Sequence, residues 1–187
     1  MTTMRRHYVM KAGGMERDVL RAREQYLPGD VWDTVRESVP ILCVDVLLSP
    51  NDDPGQVALI RRATYQGAGD GWCLVGGRVL RNEHLPAAVE RHVAATLGPS
   101  VRVDRSTLEL GAVIEYFTQP DLGDFYDPRK HAVALTYAAS CECAREPQPQ
   151  GEAFEFGWFG LDRLSEVDFG FGQGEAVARV LKNLGRT

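Results

Sequence analysis

The sequence predicts an α/β domain in which a mixed β-sheet is sandwiched between helices. Three observations carry that expectation. Short β-rich runs such as Ile41–Leu48 and His131–Cys143 recur along the chain. A paired-glycine turn, Gly76-Gly77, leads into the helical segment Leu85–Leu97. A second amphipathic segment, Gly172–Leu184, lies near the C-terminus with Ala176, Val177, Val180 and Leu181 as its apolar stripe. The order helix, strands, central helix, strands, terminal helix suits helices packed on both faces of a sheet.

The elements follow in order. Residues 1 to about 14 read as a loosely attached tail, and Glu16–Tyr26 has helical composition ended by Pro28-Gly29. Asp30 is placed to cap a short helix over Val31–Ser38, which Pro40 stops. Ile41–Leu48 reads as a central strand. Asn51–Gly55 is a turn cluster, so Gln56–Arg62 is expected to fold back on the first strand as a hairpin. After a glycine-rich loop over Tyr65–Gly71, Trp72–Val75 is a short strand running into the glycine turn. Pro86 is tolerated in the first turn of the Leu85–Leu97 helix, and Gly98-Pro99 ends it. Val101–Val103, Leu108–Phe117, His131–Cys143 and Phe154–Phe159 read as further strands. The polar loop Thr118–Lys130 and a turn-rich stretch over residues 144–151 separate the later ones.

A length of 187 residues fits one decorated domain, and a hydrophobic content of 44% supports a core. The net charge of −5 argues against nucleic acid as a partner. No apolar run is long enough to span a bilayer, and no signal-peptide pattern stands at the N-terminus, so no membrane association is expected. Cys43, Cys73, Cys141 and Cys143 show no paired CxxC spacing, which argues against a zinc site. They read as reduced thiols of a cytoplasmic protein. A homodimer is expected.

The chemistry concentrates in Gly76–Gly98, GGRVLRNEHLPAAVERHVAATLG. His92, Ala95 and Thr96 share one helix face and offer a hard divalent cation no carboxylate. Glu90 points to another side of the helix and does not supply one. Gly76 and Gly77 let the backbone turn tightly and approach a diphosphate.

Gly77, Glu83, Arg91, Val93 and Gly98 fall at the spacing of the Nudix box, and the segment resembles that motif in degenerate form: the resemblance implies metal-binding carboxylates for phosphoanhydride cleavage at the three positions held by His92, Ala95 and Thr96. The resemblance implies the Nudix fold over residues 28–187, with residues 1–27 as an N-terminal extension carrying a helix. It makes Gly76, Gly77, Glu83 and Arg91 the scaffold of the motif, the Glu83–Arg91 pair pinning loop to helix. From about Tyr26 to Leu164 the chain further resembles the GDP-mannose mannosyl hydrolases, a Nudix branch that breaks glycosidic carbon–oxygen bonds. The segments YLPGDVWDTVRESVPILCVDVLL, GWCLVGGRVL, GAVIEYFTQ, HAVALTYAA and FEFGWFGLDRL carry that likeness.

That second resemblance implies roles for particular residues. Asp45 matches an aspartate near the sugar nucleotide, and Arg62 lies close to an arginine facing the diphosphate. Arg78 matches the arginine that stabilises the leaving nucleoside diphosphate, a role suited to a guanidinium fork. The family's metal-binding glutamate falls at Thr96, and its general-base histidine falls at Ala153. Glu152 occupies the place of a further metal-binding side chain. It stands as a metal ligand for Mg2+ or Mn2+, as a base, or as a solvated loop carboxylate. His92 is a replacement acid or base, or half-buried packing. His131, at a strand start, contacts the ligand or caps the preceding loop. The expected partner is a small nucleotide or nucleotide sugar. Two functions remain open: a divergent hydrolase of a nucleoside diphosphate sugar or related compound, and a catalytically inactive protein that binds such a ligand or serves as an interaction domain.

Overall fold

The computed structural model describes residues 27–65, 69–144 and 146–186. The tail and the helix expected over Glu16–Tyr26 lie outside the described residues, as does part of the Tyr65–Gly71 loop. The first element is helix α1 (Gly29–Ser38). Its N-cap is Pro28, and Asp30 stands in the first turn instead of capping. There it still complements the positive end of the helix dipole.

Strand β1 (Ile41–Pro50) is the centre of the molecule. Every residue but Leu42 is buried, as expected for a strand covered on both faces. It pairs in parallel with β8 (Ala132–Cys143), from Ile41↔Ala132 to Pro50↔Cys141. On its other side it pairs antiparallel with β4 (Val75–Arg78). The six-stranded mixed sheet is completed by β6 (Glu109–Phe117), β7 (Phe125–Tyr126) and β5 (Val101–Val103). A second, antiparallel sheet has the order β3-β2-β9, with β2 (Gln56–Ala63), β3 (Asp70–Cys73) and β9 (Ala153–Gly160).

The expected hairpin between β1 and β2 does not form. The Asn51–Gly55 turn is present, with Asp53 accepting from the Gly55 amide at 3.2 Å. But β4 and β8 already occupy both edges of β1, so β2 departs into the smaller sheet. The strand expected at Trp72–Val75 is likewise split at Leu74, where the chain crosses between sheets. The Leu74 amide donates to Gln173 Oε1 at 2.7 Å, which satisfies a backbone donor at the crossing.

Helix α2 (Leu85–Leu97) carries a proline at its start and ends at Gly98, whose φ is 87°. It covers one face of the large sheet, with Val89, Val93 and Leu97 against Val44, Val46 and Leu48. Helix α3 (Gln173–Asn183) covers the other, with Ala176, Val177 and Val180 against Leu47, Ile114 and Ala138. The result is the helix–sheet–helix layering anticipated above. All four cysteines are free thiols, and the Cys141 and Cys143 sulfurs lie 3.7 Å apart on one strand face. Among the described residues no helix is long and apolar enough to cross a membrane.

Candidate functional site

A cleft of about 260 Å³ opens where β1, β2, β4, α2 and the start of β8 come together. The glycine turn forms one wall. In register, Gly76 faces Asp45 and Gly77 faces Val44. A Cβ on Gly76 would overlap Asp45 Oδ1 and the Val44 carbonyl. Gly77 has φ 154°, and a Cβ there would stand 2.6 Å from His92 Cε1. Both positions therefore require glycine for reasons of space, and Gly77 for its backbone angle as well.

The loop after the glycines is held by charge-assisted hydrogen bonds. Arg91 donates to both oxygens of Glu83, at 2.6 and 2.8 Å, and to the Arg78 carbonyl at 2.9 Å. Glu83 in turn accepts from the Leu80 amide at 2.9 Å. His92 Nε2 lies 3.0 Å from the same Arg78 carbonyl, so it acts as a donor there. Burial pushes the His92 pKa down and favours the neutral ring. The Arg78 guanidinium lies over the Trp32 ring of α1, 4.2 Å from its centroid.

Asp45 sits on the cleft floor at 9% exposure. Burial pushes its pKa up to about 6, against the opposing pull of Arg62 and Lys130 and with a further push from Glu152. Arg62 is ion-paired with Glu152 at the rim. Arg129 makes two hydrogen bonds to Asp127, at 2.8 and 2.9 Å. The guanidiniums of Arg62 and Arg129 both approach the Phe171 ring, at 5.2 and 4.5 Å. Phe171 has φ 57°, a strained angle for a large side chain.

The cleft gathers Asp45, Arg62, Gly76, Gly77, Arg78, His92 and Glu152 from five separate stretches of sequence. It does not include His131. Ala132 lines the cleft, and successive strand residues point to opposite faces. His131 instead stacks on Phe117 with ring centroids 5.0 Å apart. The cleft also contains Trp32, Tyr116, Arg129, Lys130 and Gln173, which the sequence reading passed over. The Arg129-Lys130 pair was visible as two cations next to a strand start. Tyr116 and Gln173 reach the cleft through long-range packing and carry no local cue.

Residues 23–185 match the family described as Domain of unknown function (DUF4916). The chain belongs to the DUF4916 family. No curated protein matches it. Among solved structures, a candidate asymmetric diadenosine tetraphosphate hydrolase from Jonesia denitrificans is similar at 29% identity and TM-score 0.65, covering 80% of this chain and 97% of that one. A MutT Nudix hydrolase from Burkholderia pseudomallei is similar at 25% identity and TM-score 0.56, covering 79% and 99%. The Nudix domain of Shewanella oneidensis NrtR, crystallised with ADP ribose, is similar at 19% identity and TM-score 0.57, covering 88% and 97%. The DUF4916 chain thus has the Nudix fold.

A divalent metal is the cofactor that the Nudix fold implies, and the donors in this DUF4916 cleft do not fit one. On α2, His92 is engaged with the Arg78 carbonyl, Ala95 offers no donor and Thr96 is a buried neutral hydroxyl. Glu152, the expected ligand for Mg2+ or Mn2+, is paired with Arg62. Among the described residues no group of three or more His, Cys, Asp or Glu side chains is placed to hold a metal ion. Hard divalent cations need several oxygen ligands, and this set does not supply them.

Proposed function

We propose that this chain is a divergent Nudix-type hydrolase acting on a nucleoside diphosphate-linked compound, with a nucleotide sugar as the class that fits. The observation that carries the reading is the convergence of Arg62, Arg78, Arg129 and Lys130 on one cleft above Gly76-Gly77. Guanidinium forks match diphosphate oxygens in shape and charge. The solved structures whose descriptions name diadenosine tetraphosphate and ADP ribose support the same ligand class. The likeness of the flanking segments to GDP-mannose mannosyl hydrolases supports the sugar.

Glycosidic cleavage suits a cleft rich in cations and poor in metal ligands. Water attacks the anomeric carbon, the carbon–oxygen bond breaks, and the nucleoside diphosphate leaves with the electron pair. The charge that develops on it is what Arg62, Arg78, Arg129 and Lys130 are placed to stabilise. The water proton passes to a carboxylate, and Glu152 is the exposed one at the rim. His92 acts here through Arg78, whose carbonyl it holds.

A second reading, binding without turnover, is favoured by the Arg62–Glu152 pair, which occupies the candidate base. One experiment separates them. The purified protein is incubated with GDP-, UDP- and ADP-hexoses, with and without Mg2+ or Mn2+, and free sugar and nucleoside diphosphate are measured beside thermal shifts. Release of both products supports hydrolysis. Stabilisation without product, and without a need for metal, supports the binder. Neither turnover nor stabilisation across the panel defeats both.

A further inference from the structure

Phe171 lies in the short turn Gly170-Phe171-Gly172 that leads into α3, and it lines the cleft. Its φ of 57° and ψ of 20° fall in the left-handed region, where glycine is at ease and a large side chain is strained. Such strain gathers at sites where the side chain has a use that the backbone alone would not favour. The ring packs against both core clusters and against Tyr65, with ring centroids 6.1 Å apart, and these contacts fix its position.

What the ring holds is charge. The guanidinium carbon of Arg62 stands over it at 5.2 Å from the centroid and that of Arg129 at 4.5 Å. Both lie within the range at which the face of an aromatic ring attracts a cation. Arg62 comes from β2 and Arg129 from the loop before β8, so Phe171 is where two distant stretches of chain meet. Each arginine also has a carboxylate, Glu152 for Arg62 and Asp127 for Arg129. Both keep capacity for a ligand. Glu152 is exposed, so a phosphate oxygen can take its place on Arg62. Arg129 spends Nε and one Nη on Asp127, and its other Nη makes no hydrogen bond among the described residues. A long side chain that closes on a ligand loses rotamer freedom at a cost in affinity, and a ring already under both guanidiniums lowers that cost before the ligand arrives.

We propose that Phe171 is a positioning residue, its ring the common platform that pre-sets Arg62 and Arg129 toward one diphosphate in the cleft. This rests on the diphosphate reading above. It gives the strained turn before α3 a task, since the ring reaches the two arginines from a backbone angle that glycine would otherwise hold more easily.

The test is calorimetry of the full chain with GDP, UDP and ADP. Phe171→Leu keeps apolar bulk and loses the ring face. For the nucleoside diphosphate that binds wild type, it raises the Kd about tenfold, the cost of fixing two arginine side chains on binding. Phe171→Tyr keeps the ring and stays within about twofold of wild type. A double-mutant cycle with Arg62→Gln separates this from a role in packing alone. On that background Phe171→Leu raises the Kd only about threefold, because one of its two arginines is gone. Circular dichroism first shows that each variant is folded, and Phe171→Met takes the place of Phe171→Leu if that variant is not. Three results overturn the platform and leave the proposed function standing: a Kd for Phe171→Leu within about twofold of wild type, equal weakening by Phe171→Tyr and Phe171→Leu, or the full loss of about tenfold on the Arg62→Gln background. Wild type that binds none of the three diphosphates overturns both.

Discussion

Glu83 and Arg91 form a two-pronged ion pair across the loop that leads into α2, and Arg91 carries a third bond, 2.9 Å long, to the Arg78 carbonyl. The loop bearing Arg78 is in this way suspended from the helix. Its position does not depend on a metal. Removing one partner leaves a half-buried charge uncompensated, which costs more than the pair contributes.

The first prediction follows from that geometry. Glu83→Gln should lower stability by about 2 kcal/mol at pH 7, seen as an earlier urea midpoint. The hydrogen bonds from Arg91 hold the Glu83 pKa below the usual carboxylate range. A lowered carboxylate pKa stabilises the fold above the unfolded value, and that stability is lost as pH falls through the folded value. The gap between variant and wild type should therefore narrow below about pH 4. An unchanged midpoint at pH 7 would count against the suspended loop.

The motif that identifies this loop was legible because its residues are near neighbours in sequence. Glycine spacing, the Glu83–Arg91 separation and the α2 boundaries are all local patterns. The pairing of β1 was not legible. Asn51–Gly55 reads as a hairpin turn, and only the competition of β4 and β8 for the edges of β1 sends β2 elsewhere. The site divides the same way. Asp45, Arg62 and Arg78 stand on or beside motif segments. Tyr116 and Gln173 enter the cleft from strands and helices far along the chain, and His131 leaves it because strand alternation turns it outward.

Asp45 offers a second prediction, in the opposite pH direction. Burial pushes its pKa up to about 6, with Arg62 and Lys130 pulling it down and Glu152 pushing it up. A raised carboxyl pKa means that the folded state holds the proton more tightly. Stability then falls as pH rises from the ordinary value near 4 to about 6, and stays low above it. Asp45→Asn removes this cost and should stabilise the free protein by up to about 3 kcal/mol at pH 7.5, with little effect at pH 4. Urea unfolding at the two pH values checks it. The same gain at both would show that charge is not the cause.

Glu152 separates the two readings of function. It is exposed, and its ion pair occupies Arg62. If it takes the proton from water, Glu152→Gln should lower kcat about 100-fold while KM stays level or falls. The fall in KM would follow from releasing Arg62 to the diphosphate. A kcat within a few-fold of wild type would remove Glu152 from the chemistry.

The last prediction concerns what α2 lacks. Its backbone, its start and its end are intact, so the absent metal ligands reflect side-chain identity alone. Ala95 is exposed, and Thr96 lines the cleft. Ala95→Glu with Thr96→Glu places two carboxylates on adjoining positions beside the glycine turn. Hard divalent cations respond to ligand charge, so the double variant should bind Mn2+ at least about tenfold more tightly than wild type, as read from the free-ion signal in electron paramagnetic resonance. The change at buried Thr96 should cost about 1–2 kcal/mol of stability, so circular dichroism must first show that the variant is folded. Equal Mn2+ affinity in a folded variant and wild type would place metal binding away from this helix face. A tight site in wild type itself would mean that the unsubstituted cleft already assembles ligands, and the metal-poor account of its chemistry would fall.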